Sequence, residues 1–296
     1  MSDRPPSEPA PFAERLASAV HRNDSLVCVG LDPELSRFPA ALRALDDPRE
    51  AIVRFNAAII EATADLVCAY KPNFAFYVAH GLAGLEALVE TRRLIPPHIP
   101  VILDCKIGDT GNTTAAYARG FFDSWGFDAV TANPYMGEEG LAPLLRYPGR
   151  AVIILARTSN PGAGDLQDRP LADDGGSHPL YLAIAERAKR WAEQYPATVG
   201  LVVGATTPDQ LALIRAAHPD RLILLPGVGA QGGDVEAAVT AGLDPRGAGL
   251  LVNSSRGIIY AGGERADFAT AARAAAERLR AEINAVRRKV AAGSAR

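Results

Sequence analysis

Eight short apolar runs recur along the chain, each followed by a longer amphipathic segment, and this alternation restricts the fold more than any other feature. The runs lie at 26–31, 66–70, 100–104, 128–132, 151–156, 199–203, 222–225 and 249–252. They are nearly continuous in apolar residues, as strands buried on both faces of a parallel sheet should be. Helical periodicity fills the intervals at 48–63, about 80–93, 112–123, 138–146, 179–194, 207–217 and 233–241, with a final Ala-, Arg- and Glu-rich helix over about 265–289. In the first of these, Ile52, Phe55, Ile59 and Ile60 recur at helical spacing behind a proline near the first turn. A further helix at about 10–22 precedes the first run. Eight strand–helix units predict an α/β fold, a (β/α)8 TIM barrel with an extra N-terminal helix, in preference to an open doubly wound sheet.

Nothing in the pattern marks a domain linker, so residues 1–296 are expected to form one barrel domain, with short flexible tails at about 1–9 and 290–296. The longest irregular stretch, 157–178 (RTSNPGAGDLQDRPLADDGGSH), follows the fifth run and would lie on the catalytic face of a barrel. The net charge of −3 argues against a nucleic-acid coat or a membrane-surface protein, so any anionic ligand must be caught by a local site. No run approaches the ~20 residues of a membrane span, and the polar, Pro-rich N-terminus lacks the apolar centre of a signal peptide. Three cysteines, Cys28, Cys68 and Cys105, stand far apart with no CxxC pair, which fits a reducing cytoplasm.

The third run leads into VILDCKIGD, residues 101–109. Strand alternation turns Asp104 and Lys106 to one face and Cys105 to the other, and Asp109 follows after a turn at Gly108. A helix is expected to begin near Asn112 or Thr113, both good capping residues. Three charges thus collect at the C-terminal end of one strand. They fit a salt bridge closing the rim, and they equally fit a catalytic cluster, because barrel enzymes place their chemistry at that end. Polar residues at the other strand ends favour chemistry: Asp32 after the first run, Lys71 after the second, Asn133 after the fourth and Ser159 after the fifth.

Residues 226–234, PGVGAQGGD, follow the seventh run and lead into a helix, so backbone N–H groups near Gly229 are open to an anion. After the eighth run comes NSSRGIIYA, residues 253–261, where Arg256 beside Ser255 can fork two hydrogen bonds to a phosphate. Loops seven and eight are the recurrent phosphate site of this fold.

With these residues placed, the chain resembles the orotidine 5′-phosphate decarboxylase family from about residue 26 to 260, and most closely its longer bacterial branch, which has the TSNPGAGDLQ loop. The most specific pieces are DxKxxD at 104–109 with Asn112-Thr113, and PGVGAQGGD. The resemblance implies a barrel of the ribulose-phosphate-binding type that converts orotidine 5′-phosphate (OMP) to UMP and carbon dioxide in pyrimidine biosynthesis, without cofactor or metal. It implies that Lys106 delivers the proton to pyrimidine C6 and that Asp104 lies beside the substrate carboxylate and holds Lys106. Lys71 and Asp32 would contact the ribose, Ser159 the pyrimidine amide, and Gln231, Arg256, Ser255 and the amide near Gly229 the phosphate. Asp109 and Thr113 would reach into the neighbouring site of a homodimer. Two positions depart from the family pattern: Thr110 stands where isoleucine is usual and Ile107 where this branch often has arginine. Neither removes a charge from the alternating Lys–Asp array that the resemblance implies for Lys71, Asp104, Lys106 and the neighbour's Asp109.

Other readings remain open on the residues alone. The five histidines are scattered without metal-ligand spacing. A sugar-phosphate lyase of related type would share DxKxxD and the phosphate end but use Mg²⁺ held partly by a glutamate after the second strand, where this chain has Lys71. A silent barrel that senses a phosphorylated metabolite would need Arg256 and the glycine loop but not Asp104, Lys106, Asp109 and Lys71 together.

Overall fold

The computed structural model describes residues 10–173, 176–228 and 234–294. Among these, eight parallel strands form one sheet: β1 (Val27–Leu31), β2 (Ala69–Pro72), β3 (Ile102–Ile107), β4 (Ala129–Ala132), β5 (Ala151–Arg157), β6 (Thr198–Val203), β7 (Leu222–Leu225) and β8 (Leu250–Ser254). The order is β2-β1-β8-β7-β6-β5-β4-β3. Parallel bridges Tyr70↔Val101 and Asn73↔Asp104 join the two ends, so the sheet closes into the expected (β/α)8 barrel.

Alternation along each strand sorts the core into two clusters. Outward residues such as Val29, Tyr70, Leu103, Val130 and Val252 pack under helical side chains including Ile52, Phe55 and Ile59. Inward residues Cys28, Ala69, Ile102, Ala129, Ile153 and Leu251 fill the barrel floor. The N-terminal helix Phe12–Asn23 presents Phe12, Leu16 and Ala19 to that inner cluster and so plugs the N-terminal mouth. Beside it, the buried Asp128 carboxylate gathers Arg15 at 2.6 Å, Arg92 at 3.2 Å and Arg150 at 3.4 Å. A carboxylate held by three guanidiniums at this face stabilises the structure and lies at the end opposite the chemistry.

One step further up, the inward positions turn polar. Ala69 gives way to Lys71, Ile102 to Asp104, Ala129 to Thr131 and Leu251 to Asn253. On β1 the corresponding residue is Gly30, where a Cβ would lie 2.6 Å from the Ser255 Cβ; the missing side chain lets the loop after β8 close over the barrel.

Helix Pro48–Thr63 matches the expected span, with the Asp47 side chain accepting a hydrogen bond from Arg49 N at 2.9 Å. Several boundaries differ. Strands β2 and β3 run two or three residues beyond their apolar runs: β2 stays paired with β1 through Lys71 and Pro72, and β3, after a register slip, pairs again with β4 at Ile107. The expected helix at 112–123 becomes an α-helix, Gly111–Ala118, followed by a wider π-type turn, Arg119–Ser124. The stretch 157–178 is not irregular throughout: it holds a 3-10 turn, Pro161–Asp165, and an antiparallel hairpin of Pro170–Asp173 with Gly176–Pro179. Its short, proline-bounded strands carry too little alternation to be recognised. The last helix, Phe268–Ser294, extends past the expected start of a flexible tail at 290. Val290 packs against the core, and Lys289 pairs with Glu236 at 2.6 Å. The proposed N-terminal tail lies outside the described residues.

Candidate active site

The polar layer opens into a cavity of about 560 Å³ at the C-terminal end of the barrel. Asp104 organises one wall. Its Oδ2 accepts from Lys71 Nζ at 2.8 Å, and its Oδ1 accepts from Lys106 Nζ at 2.6 Å and Thr131 Oγ1 at 2.9 Å. The Lys71 side chain is 4% accessible and that of Asp104 11%, whereas Lys106 is 48% accessible and faces the cavity. Burial works against both charges of the inner pair. For Asp104, the attraction of Lys71 and then Lys106 outweighs it, holding the carboxyl well below the usual range. For Lys71, Asp104 and Asp32 outweigh burial and raise the ammonium above its ordinary value. Both groups are therefore ionised at neutral pH.

Asp104 and Lys106 meet, but not by simple alternation. The register of β3 on β4 slips between Leu103 and Ile107, and Lys106 takes a left-handed φ of 49°. Its N–H donates to Thr131 Oγ1 at 3.0 Å instead of continuing the ladder. Beyond it the chain presses against β4: Asn133 N donates to Ile107 O at 2.7 Å, and a Cβ on Gly108 would lie 2.3 Å from Asn133 O.

Asp32 lines the same cavity and accepts from Asn73 N at 3.2 Å. Ser159 lines it from the loop after β5. That loop is tied down by an Arg157–Asp168 fork, at 2.8 and 3.1 Å, and by reciprocal bonds between Thr158 and Gln167, from Thr158 N to Oε1 and from Nε2 to Thr158 Oγ1, each 2.8 Å. Gln167 and Asn160 also reach the cavity.

Asp109 does not join the other two charges. It is half-buried, its Oδ1 accepts from Thr110 N at 2.6 Å, and neither it nor the exposed Thr113 lines this cavity. The local reading of three charges in one cluster is thus corrected to two, because the turn at Gly108 carries Asp109 out of the barrel mouth.

At the far wall lie Pro226, Gly227 and Val228 after β7 and Ser255 and Arg256 after β8. Gly227 has a φ of 94°, a conformation suited to glycine. Gly229 and Gln231 lie outside the described residues. Arg256 is exposed, and the buried Asn253 Oδ1 and Ser255 Oγ have no hydrogen-bond partner among the described residues. Unpaired buried oxygens at a cavity wall are costly unless a ligand or water completes them.

Thr131, Asn253 and Gln167 escaped the sequence reading. For the first two a signal existed: each lies two residues beyond an inward apolar residue, so period-two counting places it in the polar layer. Gln167 carried none, since its role depends on how the loop folds back.

A lysine–aspartate–lysine array in a cavity at the C-terminal end of a closed parallel barrel defines an enzyme of the TIM-barrel class. Residues 25–272 match the Orotidine 5′-phosphate decarboxylase / HUMPS family, and the chain belongs to that family. It is 57% identical over 280 residues to orotidine 5′-phosphate decarboxylase of Thermomicrobium roseum, covering 95% of this chain and 97% of that one. The Leishmania donovani OMP decarboxylase structure superposes with a TM-score of 0.79 at 41% identity, covering 94% of this chain and 99% of the other. Leishmania donovani UMP synthase matches with a TM-score of 0.81 at 42% identity over 94% of this chain, which spans only 56% of that longer protein.

Proposed function

We propose that this chain is a carboxy-lyase that converts OMP to UMP and carbon dioxide, with Lys106 as the proton donor. The observation that carries the reading is Asp104 fixed between two ammonium groups, one buried and one open to the cavity, across from the wall that bears Arg256. Family membership and the named relatives support the same reaction.

Loss of carbon dioxide breaks the C6–carboxylate bond and leaves its electron pair on C6. The Lys106 ammonium, half exposed and facing the cavity, stabilises that charge as it develops and then transfers a proton to C6; solvent re-protonates the amine. Asp104 keeps Lys106 aimed and sets a negative charge beside the departing carboxylate, which favours separation. Lys71 is too buried to donate readily; its role is to keep Asp104 ionised and, with Asp32, to meet the ribose. Arg256, Ser255 and the loop containing Gly229 and Gln231 would bind the phosphate, and Ser159 the pyrimidine amide. Binding at the remote phosphate organises the charged array. Asp109 and Thr113, lying outside this chain's cavity, are assigned to the neighbouring site of a homodimer. A metal-assisted enediolate reaction would place the cation against Asp104, where Lys71 Nζ instead lies 2.8 Å away.

Among the described residues no helix is long and apolar enough to cross a membrane. The free thiols Cys28, Cys68 and Cys105 suit a reducing compartment, and we place the enzyme in the cytoplasm. The test is ultraviolet monitoring of OMP with and without EDTA. Equal loss of substrate in both is expected; no loss in either refutes the assignment, and loss abolished by EDTA favours the metal-assisted alternative.

A further inference from the structure

Thr131 occupies the inward position of β4 in a register row whose other members are Ile153, Gly200 and Leu222. It is 1% exposed, and nothing in that apolar row calls for a hydroxyl. The hydroxyl is nonetheless fully committed. Asp104 is ionised and can only accept, so the single Oγ1 hydrogen points to Asp104 Oδ1 at 2.9 Å. A lone pair on the same oxygen receives Lys106 N–H at 3.0 Å.

These bonds close a ring. It runs from Lys106 N to Thr131 Oγ1, on to Asp104 Oδ1, and back through Lys106 Nζ at 2.6 Å. Lys106 is therefore tied to Thr131 Oγ1 at both ends, directly through its N–H and through Asp104 Oδ1 at its Nζ, at the point where β3 slips register and Lys106 adopts its left-handed φ. That backbone conformation is unfavourable for a lysine and persists only where surrounding contacts impose it. A valine of the same shape would leave Lys106 N–H unpaired and remove one of the two donors that fix Asp104 Oδ1.

We propose that Thr131 is a positioning residue for decarboxylation, its hydroxyl fixing the Lys106 ammonium and the Asp104 carboxylate in their reacting arrangement. The inference rests on the reading of the site given above. Thr131 acts through these two groups and not on the phosphate wall, so it governs the chemical step and leaves nucleotide capture intact.

The test compares Thr131→Val, Thr131→Ala and Thr131→Ser with the parent, measuring kcat and KM for OMP, the Kd of UMP, and thermal stability. Thr131→Val is expected to lower kcat by about 10- to 100-fold, the scale of a small misplacement of a reacting group. KM and the UMP Kd should stay within about threefold, and Thr131→Ser should keep kcat within about threefold of the parent. Should the valine variant fail to fold, serine and alanine still differ by a single hydroxyl, and serine should turn over at least about tenfold faster. Equal kcat for alanine and serine overturns the proposal, as does a loss of UMP binding that matches the loss of kcat. A parent that leaves OMP untouched overturns the functional reading, and this inference with it; an active parent with equally active alanine and serine variants overturns this inference alone.

Discussion

Replacing Asp104 with asparagine removes the negative charge from a buried pair while nearly preserving shape. Lys71 then remains 4% accessible without its nearest counter-charge. Breaking a buried ion pair from one side costs roughly 3–5 kcal/mol, because the remaining charge is stranded. Asp32 also acts on Lys71 and partly compensates, so a value near 3 kcal/mol is expected. Lys106 loses a partner too, but at 48% accessibility it is solvated and contributes little to the loss. For a chain of this length, about 3 kcal/mol corresponds to a fall in Tm of about 5 °C.

The pH dependence gives the sharper test. In the parent, Asp104 titrates below its unfolded value, so its contribution is present above about pH 4 and is lost as pH falls through the folded pKa. Lys71 titrates above its unfolded value, so its contribution is present below about pH 10 and is lost as pH rises through the folded pKa. The pair's contribution is therefore level across the neutral range. Without Asp104, burial dominates Lys71 and lowers its folded pKa, so the unfolded state binds more protons and stability rises with pH. Urea unfolding of parent and Asp104→Asn at pH 7 and 9 should show the gap narrowing at the higher pH. A loss below about 1 kcal/mol at pH 7, or a gap unchanged by pH, would refute the view that Asp104 holds Lys71 charged. The double variant Lys71→Met/Asp104→Leu should recover most of the lost stability, since an apolar replacement of a buried pair is often neutral.

Lys106→Ala should abolish turnover of OMP while UMP still binds measurably by calorimetry; near-parental kcat in this variant would remove Lys106 from its role. Arg256→Ala should raise KM for OMP by about ten- to a hundredfold, the loss of a charge-assisted bond to phosphate, with a smaller change in kcat. An unchanged kcat/KM would move the phosphate elsewhere. Mixing inactive Lys106→Ala and Asp109→Asn subunits should restore activity, because a heterodimer regains one intact site if Asp109 serves its neighbour. Random pairing gives about a quarter of parental activity, and no recovery after verified subunit exchange would place Asp109 outside the neighbouring site.

The barrel was legible because its signal is local and repeated: each apolar run followed by a 3.6-period segment reports its own burial. Asp104, Lys106, Lys71, Asp32, Ser159, Ser255 and Arg256 were legible for a related reason, since each lies at the end of a strand and a closed parallel barrel brings all such ends to one face. What marks burial does not mark hydrogen bonding, however. The runs at 66–70 and 100–104 therefore stopped short of the strand ends, which extend into charged residues stabilised by partners on the same and on neighbouring strands. The hairpin within 157–178 depends on contacts such as Arg157–Asp168 that bridge eleven positions and leave no period behind.

The sequence by itself determined the eight-unit barrel, the chemical identity of its polar rim, and the placing of Arg256 at the same barrel end as the lysine–aspartate cluster. Only the tertiary structure decided how that cluster is wired. Asp104 and Lys106 meet through a slipped register and a left-handed residue, held by the Thr131 hydroxyl from the next strand, while Asp109 turns away from them. Alternation is a property of one strand, whereas the position of Asp104 is set by its hydrogen-bonding partners, and these come from two other strands, Lys71 and Thr131, as well as from Lys106 on its own.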